Sequence, residues 1–165
     1  MHRTPLLPLM YLCCLIMAGC SKNDDVDQTP AVETAMTVFA SWLQADPPSG
    51  ATVSDRVRLY IGGQPVYFFG STVTLLDATT GKATTSPYWY RSNGVLVSKE
   101  LAIPAYNIDA QTWLRKPIDT KAPYWTEPYF DQGGGDIWMR TYAIPIIVNN
   151  KVIAVATTDL AVKKP

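Results

Sequence analysis

The chain has 165 residues, with 14 Lys and Arg balanced by 14 Asp and Glu, one His and three Cys. Charges spread evenly at zero net charge exclude a polyanion-binding surface, so nucleic acid is not an expected partner. The His is His2 and the cysteines are Cys13, Cys14 and Cys20; residues 21–165 have no thiol or imidazole for a Ser-His-Asp or Cys-His nucleophile, a disulfide or a His/Cys zinc site.

Behind His2 and Arg3, Leu6 to Met17 is an apolar run broken only by Pro8. It is too short to span a bilayer permanently and has the form of a secretory signal. Met17-Ala18-Gly19-Cys20 resembles a lipobox, the site where a lipoprotein signal peptidase cuts after a diacylglycerol is attached to the thiol. The alternatives, an ordinary signal peptide or a buried apolar helix, are opposed by the polar Ser21-Lys22-Asn23-Asp24-Asp25 that comes at once after it. The expected organisation is a signal peptide over 1–19, a lipidated tether over 20–28 and one domain over 29–162. Cys20 would hold the chain on a membrane of the cell envelope, facing the periplasm. Ser21 rather than Asp after the cysteine favours the outer membrane under enterobacterial-type sorting. Without its first nineteen residues the chain has 146, the length of one domain with a full core.

Pro30 sits well at a first helical position, and Val32, Ala35, Met36, Phe39, Trp42 and Leu43 recur at helical spacing through Gln44. This predicts an amphipathic helix, stopped by Asp46-Pro47-Pro48-Ser49-Gly50. A second short helix is expected over Ser54 to Ile61, before Gly62-Gly63. Strand character begins at Ser71 to Leu76 and ends at the turn residues 77–82. Tyr88-Trp89-Tyr90 and Val95-Leu96-Val97 flank Asn93-Gly94, the strongest short hairpin signal. Asp109 to Leu114 reads as one helical turn ending before Pro117, and Lys121 to Asp131 as extended or irregular chain. Ile137 to Val148 and Val152 to Val162 are long β-type runs joined by Asn149-Asn150, a second two-residue turn. Antiparallel strands behind an N-terminal amphipathic helix define an α+β domain.

From about Gly70 to Val162 the sequence resembles the Cache extracellular sensor domains, the PAS-like double Cache group. The resemblance rests on Phe69-Gly70-Ser71-Thr72, Pro87-Tyr88-Trp89-Tyr90-Arg91, the segment at Trp113, and Trp125-Thr126-Glu127-Pro128-Tyr129-Phe130-Asp131 before Gly133-Gly134-Gly135. Met139-Arg140-Thr141-Tyr142-Ala143-Ile144-Pro145 and a last strand ending Thr158-Asp159-Leu160 complete it. It implies a PAS-like (Cache) antiparallel sheet with a helix beside it and a small-molecule pocket on one face. The likeness is strongest to the membrane-distal module of domains fused to bacterial histidine kinases, phosphatases and chemoreceptors. No second module follows Pro165 in this sequence, so the expectation is a signal passed to a partner protein.

In amino-acid-binding members of that family a Tyr, an Arg and a Trp-Tyr pair line the pocket and an Asp on the last strand takes the ligand amine. Tyr106, Trp113 and Asp159 match this pattern. Gln111 stands in place of the Arg and Leu114 in place of the second Tyr. A neutral amide cannot replace the bidentate grip of Arg on a carboxylate, which disfavours a free amino acid as ligand. Tyr129 and Tyr142 add aromatic walls suited to an apolar pocket with few polar handles. The candidate ligand-binding set is therefore Tyr106, Gln111, Trp113, Tyr129, Tyr142 and Asp159, with core packing as the competing role for each aromatic and a strand-end cap as the competing role for Asp159.

No cofactor, metal or catalysis is expected. Asp131 and Asp136 around a glycine run are too few ligands for calcium. Glu127 with Asp131 meets the bare requirement of a glycosidase pair, but the resemblance assigns Glu127 to backbone hydrogen bonds in a sensor. The glycine run reads as a loop over the pocket mouth, and Arg140 as a partner for a carboxylate. The competing function is a non-catalytic envelope scaffold with a vestigial pocket, docking through the helix at Ala31 to Gln44 or through a sheet edge.

Overall fold

The computed structural model describes residues 27–165. The expected signal segment, Cys20 and most of the tether lie outside them. Helix α1, Thr29–Ala45, has Pro30 in its first turn and buries Val32, Met36, Phe39, Ala40 and Leu43. The Asp27 carboxylate accepts a hydrogen bond from the Thr29 amide at 3.0 Å, engaging an N–H the helix itself cannot satisfy. Trp42, expected on the buried face, is 44 % exposed. It lies at the edge of the apolar stripe, where α2 (Val53–Gly62) reaches it with Arg56, whose guanidinium stacks 5.0 Å from the ring centroid.

Eight strands follow among the described residues: β1 Phe68–Leu76, β2 Ala83–Thr85, β3 Pro87–Ser92, β4 Val95–Glu100, β5 Tyr124–Trp125, β6 Tyr129–Phe130, β7 Trp138–Val148 and β8 Lys151–Ala161. They form one antiparallel sheet in the order β4-β3-β1-β8-β7-β5, with β2 on β1 and β6 on β7. This is the PAS-like α+β arrangement anticipated from the sequence. Both predicted turns form with left-handed backbone, at Asn93 (φ 49°) and Gly94 (φ 81°), and at Asn149 (φ 49°) and Asn150 (φ 63°). Asn and Gly tolerate that region, so each turn fixes the register of the strands it joins.

Two expectations between the hairpins need correction. Helix α3, Thr112–Thr120, runs through Pro117 instead of stopping before it. Trp113, Leu114 and Pro117 are all buried on one side of this helix, and α3 packs on β7 and β8. Tertiary burial here outweighs the hydrogen bond that proline removes. The stretch 121–131, expected to be extended or irregular, carries β5 and β6, which cover the outer edge of β7.

The sheet has two covered faces. Helices α1 and α2 lie over one, where Phe68, Val73, Tyr142, Ile146, Ala154, Ala156 and Leu160 meet Met36, Phe39 and Tyr60. On the other, Tyr88, Leu101, Tyr106, Ile108, Trp113, Leu114, Ala143 and Val155 pack under α3 and the segment before it. The 2.0-residue period assigns each β8 residue to a face: Thr157 and Asp159 to the second, Thr158 to the first. The Thr158 hydroxyl is within hydrogen-bond distance of Met36 Sδ (2.9 Å) and the Tyr60 hydroxyl (3.1 Å).

Gly70 on β1 sits between Tyr90 of β3 and Asp159 of β8 in register. A Cβ there would collide with the hydroxyl, Cζ and Cε2 of Tyr88. The missing side chain lets the Tyr88 ring lie across β1 toward Asp159, stacked on Tyr90 at 5.1 Å. Gly70→Ala is therefore expected to destabilise the domain by about 1–3 kcal/mol, the usual cost of overpacking a closed core. Urea denaturation monitored by tryptophan fluorescence measures it.

Candidate functional site

The second face of the sheet encloses a cavity of about 10 Å³, roughly the room of one water molecule. Tyr88, Tyr106, Trp113 and Tyr129 wall it, and two carboxylates, Asp131 and Asp159, face it. Each arrives from a different element. Asp159 comes from the interior of β8, paired with Thr141 on β7 and Gly70 on β1. Asp131 comes directly after β6, and Tyr106 lies on the loop that leads into the short helical turn Ile108–Ala110.

Asp159 is 4 % exposed, and its Oδ1 accepts a hydrogen bond from Thr141 Oγ1 at 2.6 Å. Burial pushes its carboxyl up; the Thr141 hydrogen bond partly opposes this, the nearby Asp131 charge adds to it, and the result is about 7. Asp159 is thus an interior strand residue, not the strand-end cap that competed for its role. Asp131 is 5 % exposed and holds two donors: the Tyr106 hydroxyl at 2.6 Å on Oδ1 and the Gly135 amide at 2.7 Å on Oδ2. Burial and the same carboxylates keep the Tyr88, Tyr106 and Tyr129 hydroxyls well above the usual phenol range. These three therefore remain hydrogen-bond donors at any physiological pH. The Tyr88 hydroxyl faces Asp159 closely enough to favour its ionised form, yet it has no partner in full hydrogen-bonding geometry. A buried donor left in that state is costly unless a ligand or a small rearrangement engages it.

Beside the cavity, an open cleft of about 230 Å³ is lined by Gln111, Thr112, Trp113, Tyr124, Thr126, Glu127, Pro128 and Tyr129. Trp113 and Tyr129 belong to both spaces and form the partition between them. The structure thus brings Tyr106, Trp113, Tyr129 and Asp159 together around the cavity and puts Gln111 in the adjoining cleft. Gln111 Nε2 donates to the Tyr106 carbonyl at 3.1 Å, fixing the loop that carries Tyr106.

Tyr142 does not join them. Strand alternation turns it to the helix-covered face, where it stacks on Trp125 at 4.8 Å. Its neighbour Thr141 faces the site instead. Arg140, expected to pair with a carboxylate, lies 5.0 Å over the Trp125 ring and donates to the Thr126 carbonyl at 3.3 Å. Glu127, expected to hold backbone groups, is exposed in the cleft, and no hydrogen bond or ion pair engages it among the described residues.

Gly134 would meet the Asp131 carboxylate if it carried a Cβ, and Gly135 would meet Met139 and Phe69. The glycine loop is therefore close against the site, held below by Asp131 and at its flank by Lys99, whose Nζ donates to the Gly134 carbonyl at 2.5 Å. Sequence reasoning weighs Asp131 only for calcium or a glycosidase pair and does not single out Tyr88, Gly70 or Thr141 as site residues. An isolated Gly inside a strand pattern, which marks a close approach, is the signal that points to Gly70 and its partner Tyr88.

The chain belongs to the methyl-accepting chemotaxis protein-like family of first PDC sensor domains, whose model matches residues 61–164. Among solved structures it is similar to the extracellular domain of soHK1S-Z6, a protein described as a histidine kinase, with TM-score 0.67 and 26 % identity over 81 % of this chain and 53 % of that one. The fold also matches the ligand-binding domain of the Campylobacter jejuni chemoreceptor Tlp3 in complex with L-norvaline (TM-score 0.61, 13 % identity, 82 % of this chain, 51 % of that one). A further match is the Pseudomonas aeruginosa PAO1 amino acid chemoreceptor PctC in complex with GABA (TM-score 0.54, 16 % identity, 81 % of this chain, 56 % of that one). The chain thus spans about half the length of these structures. No curated protein matches it. Among the described residues no helix is long and apolar enough to cross a membrane.

Because its carboxyl is raised above the unfolded value of 3.8, Asp159 holds its proton more tightly in the folded state. Its effect on stability is neutral below about pH 4, becomes unfavourable as pH rises toward 7, and is constant above. Asp159→Asn keeps the acceptor for Thr141 and removes the ionisable group. The variant should gain on wild type between pH 4 and pH 8 by on the order of 4 kcal/mol. Paired urea titrations across that range test this, and parallel stability profiles would contradict it.

Proposed function

We propose that the chain is a lipid-anchored extracytoplasmic sensor domain that binds a small cationic amine and passes its presence to a partner protein. One observation carries the ligand class: two buried carboxylates face one cavity, and among the described residues no Lys or Arg lines that cavity or the cleft beside it. An ammonium placed there would meet Asp159 and Asp131 with charge-assisted hydrogen bonds and aromatic faces for cation–π contact. The ligands named for Tlp3 and PctC each carry a carboxylate as well as an amine. In this chain Gln111 offers that carboxylate no cation, so an amine without a carboxylate suits the site better.

The cavity is too small for such a head group as it stands, so binding requires Trp113 and Tyr129 to move apart. The connections of the carboxylates give two responses. An ammonium on Asp131 competes with the Gly135 amide and shifts the glycine loop. One on Asp159 displaces a proton and acts on β8, whose adjacent Thr158 contacts both helices. Only a difference in affinity between the two arrangements would transmit a signal.

The competing scaffold role draws on the smallness of the cavity and on the apolar groove between α1 and α2, where Val38 and Leu59 are exposed. Against it stands the polarity of the enclosed face. A vestigial pocket would relax toward apolar packing, whereas this one retains two carboxylates and an unpartnered hydroxyl.

A thermal-shift screen of the purified chain against primary amines, amino acids, organic acids and sugars tests the proposal. A ligand at about 100 times its Kd adds about 2.7 kcal/mol. Amines are expected to raise the melting temperature of wild type and not of Asp159→Asn; an unresponsive wild type would favour the scaffold. Since binding displaces the Asp159 proton, amine affinity measured by calorimetry should climb about tenfold per pH unit below 7 and level off above it. Tyr88→Phe removes a hydroxyl that favours the ionised Asp159, so it should move the levelling-off of that affinity profile to higher pH.

A further inference from the structure

We infer that the open cleft is the second half of the ligand site and holds the distal ammonium of a short linear diamine against Glu127. The inference rests on the amine-binding role of the buried cavity and adds to it the identity of the other end of the ligand. The two spaces share the wall made by Trp113 and Tyr129, and the opening of that wall joins them. Thr141 Oγ1 is 2.6 Å from the Asp159 carboxylate and 2.8 Å from the Tyr129 hydroxyl, and the Thr141 amide donates to Thr126 Oγ1 at 2.9 Å. Tyr129 and Thr126 line the cleft. Two hydrogen bonds therefore link the buried carboxylate to residues of the cleft wall.

The chemistry of the cleft fits a chain with a positive end. At about 230 Å³ against about 10 Å³, it has the room that the cavity lacks for the body of a ligand. Trp113, Tyr124 and Tyr129 offer aromatic faces to methylenes and ammonium alike. Glu127 is the one charged side chain in its lining, and no basic residue neutralises it among the described residues. Gln111, whose amide nitrogen is engaged by the Tyr106 carbonyl, has its acceptor oxygen left for an N–H donor. At the inner cavity, Tyr88 is 2 % exposed and turns toward Asp159 a hydroxyl that has no partner in full hydrogen-bonding geometry. A monoamine would satisfy the inner carboxylates and leave its apolar tail beside Glu127; a diamine satisfies both ends.

Calorimetry with putrescine and cadaverine against n-butylamine and n-pentylamine, at physiological ionic strength, decides it. Each diamine is expected to bind the wild-type chain at least about tenfold tighter than the monoamine of equal length, the scale of one added charge-assisted contact. Glu127→Gln should remove that advantage and leave monoamine affinity unchanged, while Asp55→Asn, an exposed acid on α2, controls for bulk charge. Equal binding of diamine and monoamine to wild type would overturn the inference and leave the amine-sensing role standing. So would a loss shared equally by both ligand types in Glu127→Gln. Failure of every amine to bind would overturn both together.

Discussion

Enclosing a carboxylate among β-strands costs several kcal/mol unless an opposite charge or a full set of hydrogen bonds compensates. Asp159 receives one close hydrogen bond, from Thr141, and no cation stands near it among the described residues. Its neighbours answer this cost. Gly70 clears the space across β1, Tyr88 leans through that space with its hydroxyl toward the carboxylate, and the carboxyl itself rises to about 7. An apolar residue at 159 would make a more stable sheet. Keeping an acid there gives the domain a buried group that holds a proton tightly and, under the proposed function, would take an ammonium in its place.

Asp131 has a complementary position. It is equally buried, yet it is tied to Tyr106 and to the glycine loop, so it links the inner wall of the cavity to the segment at its rim. Lys99 anchors that segment from β4, and Gln111 anchors the Tyr106 loop from the start of α3. The walls are therefore rigid elements joined by a few polar contacts. Such contacts can exchange partners at small cost, whereas the packed aromatic and aliphatic core around them resists gradual deformation.

Strand β8 contributes to both faces of the sheet because consecutive residues of a strand point in opposite directions. Asp159 and Thr157 face the site; Thr158 faces Met36 and Tyr60, and Tyr60 stacks on Phe39 at 4.1 Å. Under the proposed function, a shift of β8 on cation binding would act directly on the packing between the sheet and α1, because Thr158 lies beside Asp159 in the strand.

Local rules in the sequence determined the elements. Helical spacing placed α1, two positive-φ pairs placed the hairpins at Asn93-Gly94 and Asn149-Asn150, and β-branched runs placed β1, β7 and β8, because each depends on residues close in the chain. The family was legible from motif order, and four of the candidate residues, Tyr106, Trp113, Tyr129 and Asp159, are ones the fold brings to one cavity. Which face a residue lines was decided by register: Thr141 rather than Tyr142 meets the site because β7 pairs with β8 in a phase set by the whole sheet. The helix through Pro117 formed because burial on β7 and β8 outweighed a local breaker. The meeting of Asp131 with Asp159, the passage of Tyr88 over Gly70 and the adjacency of the Glu127 cleft join residues far apart in the chain. No local propensity specifies them; they exist because distant strands and loops converge on one face of the folded sheet.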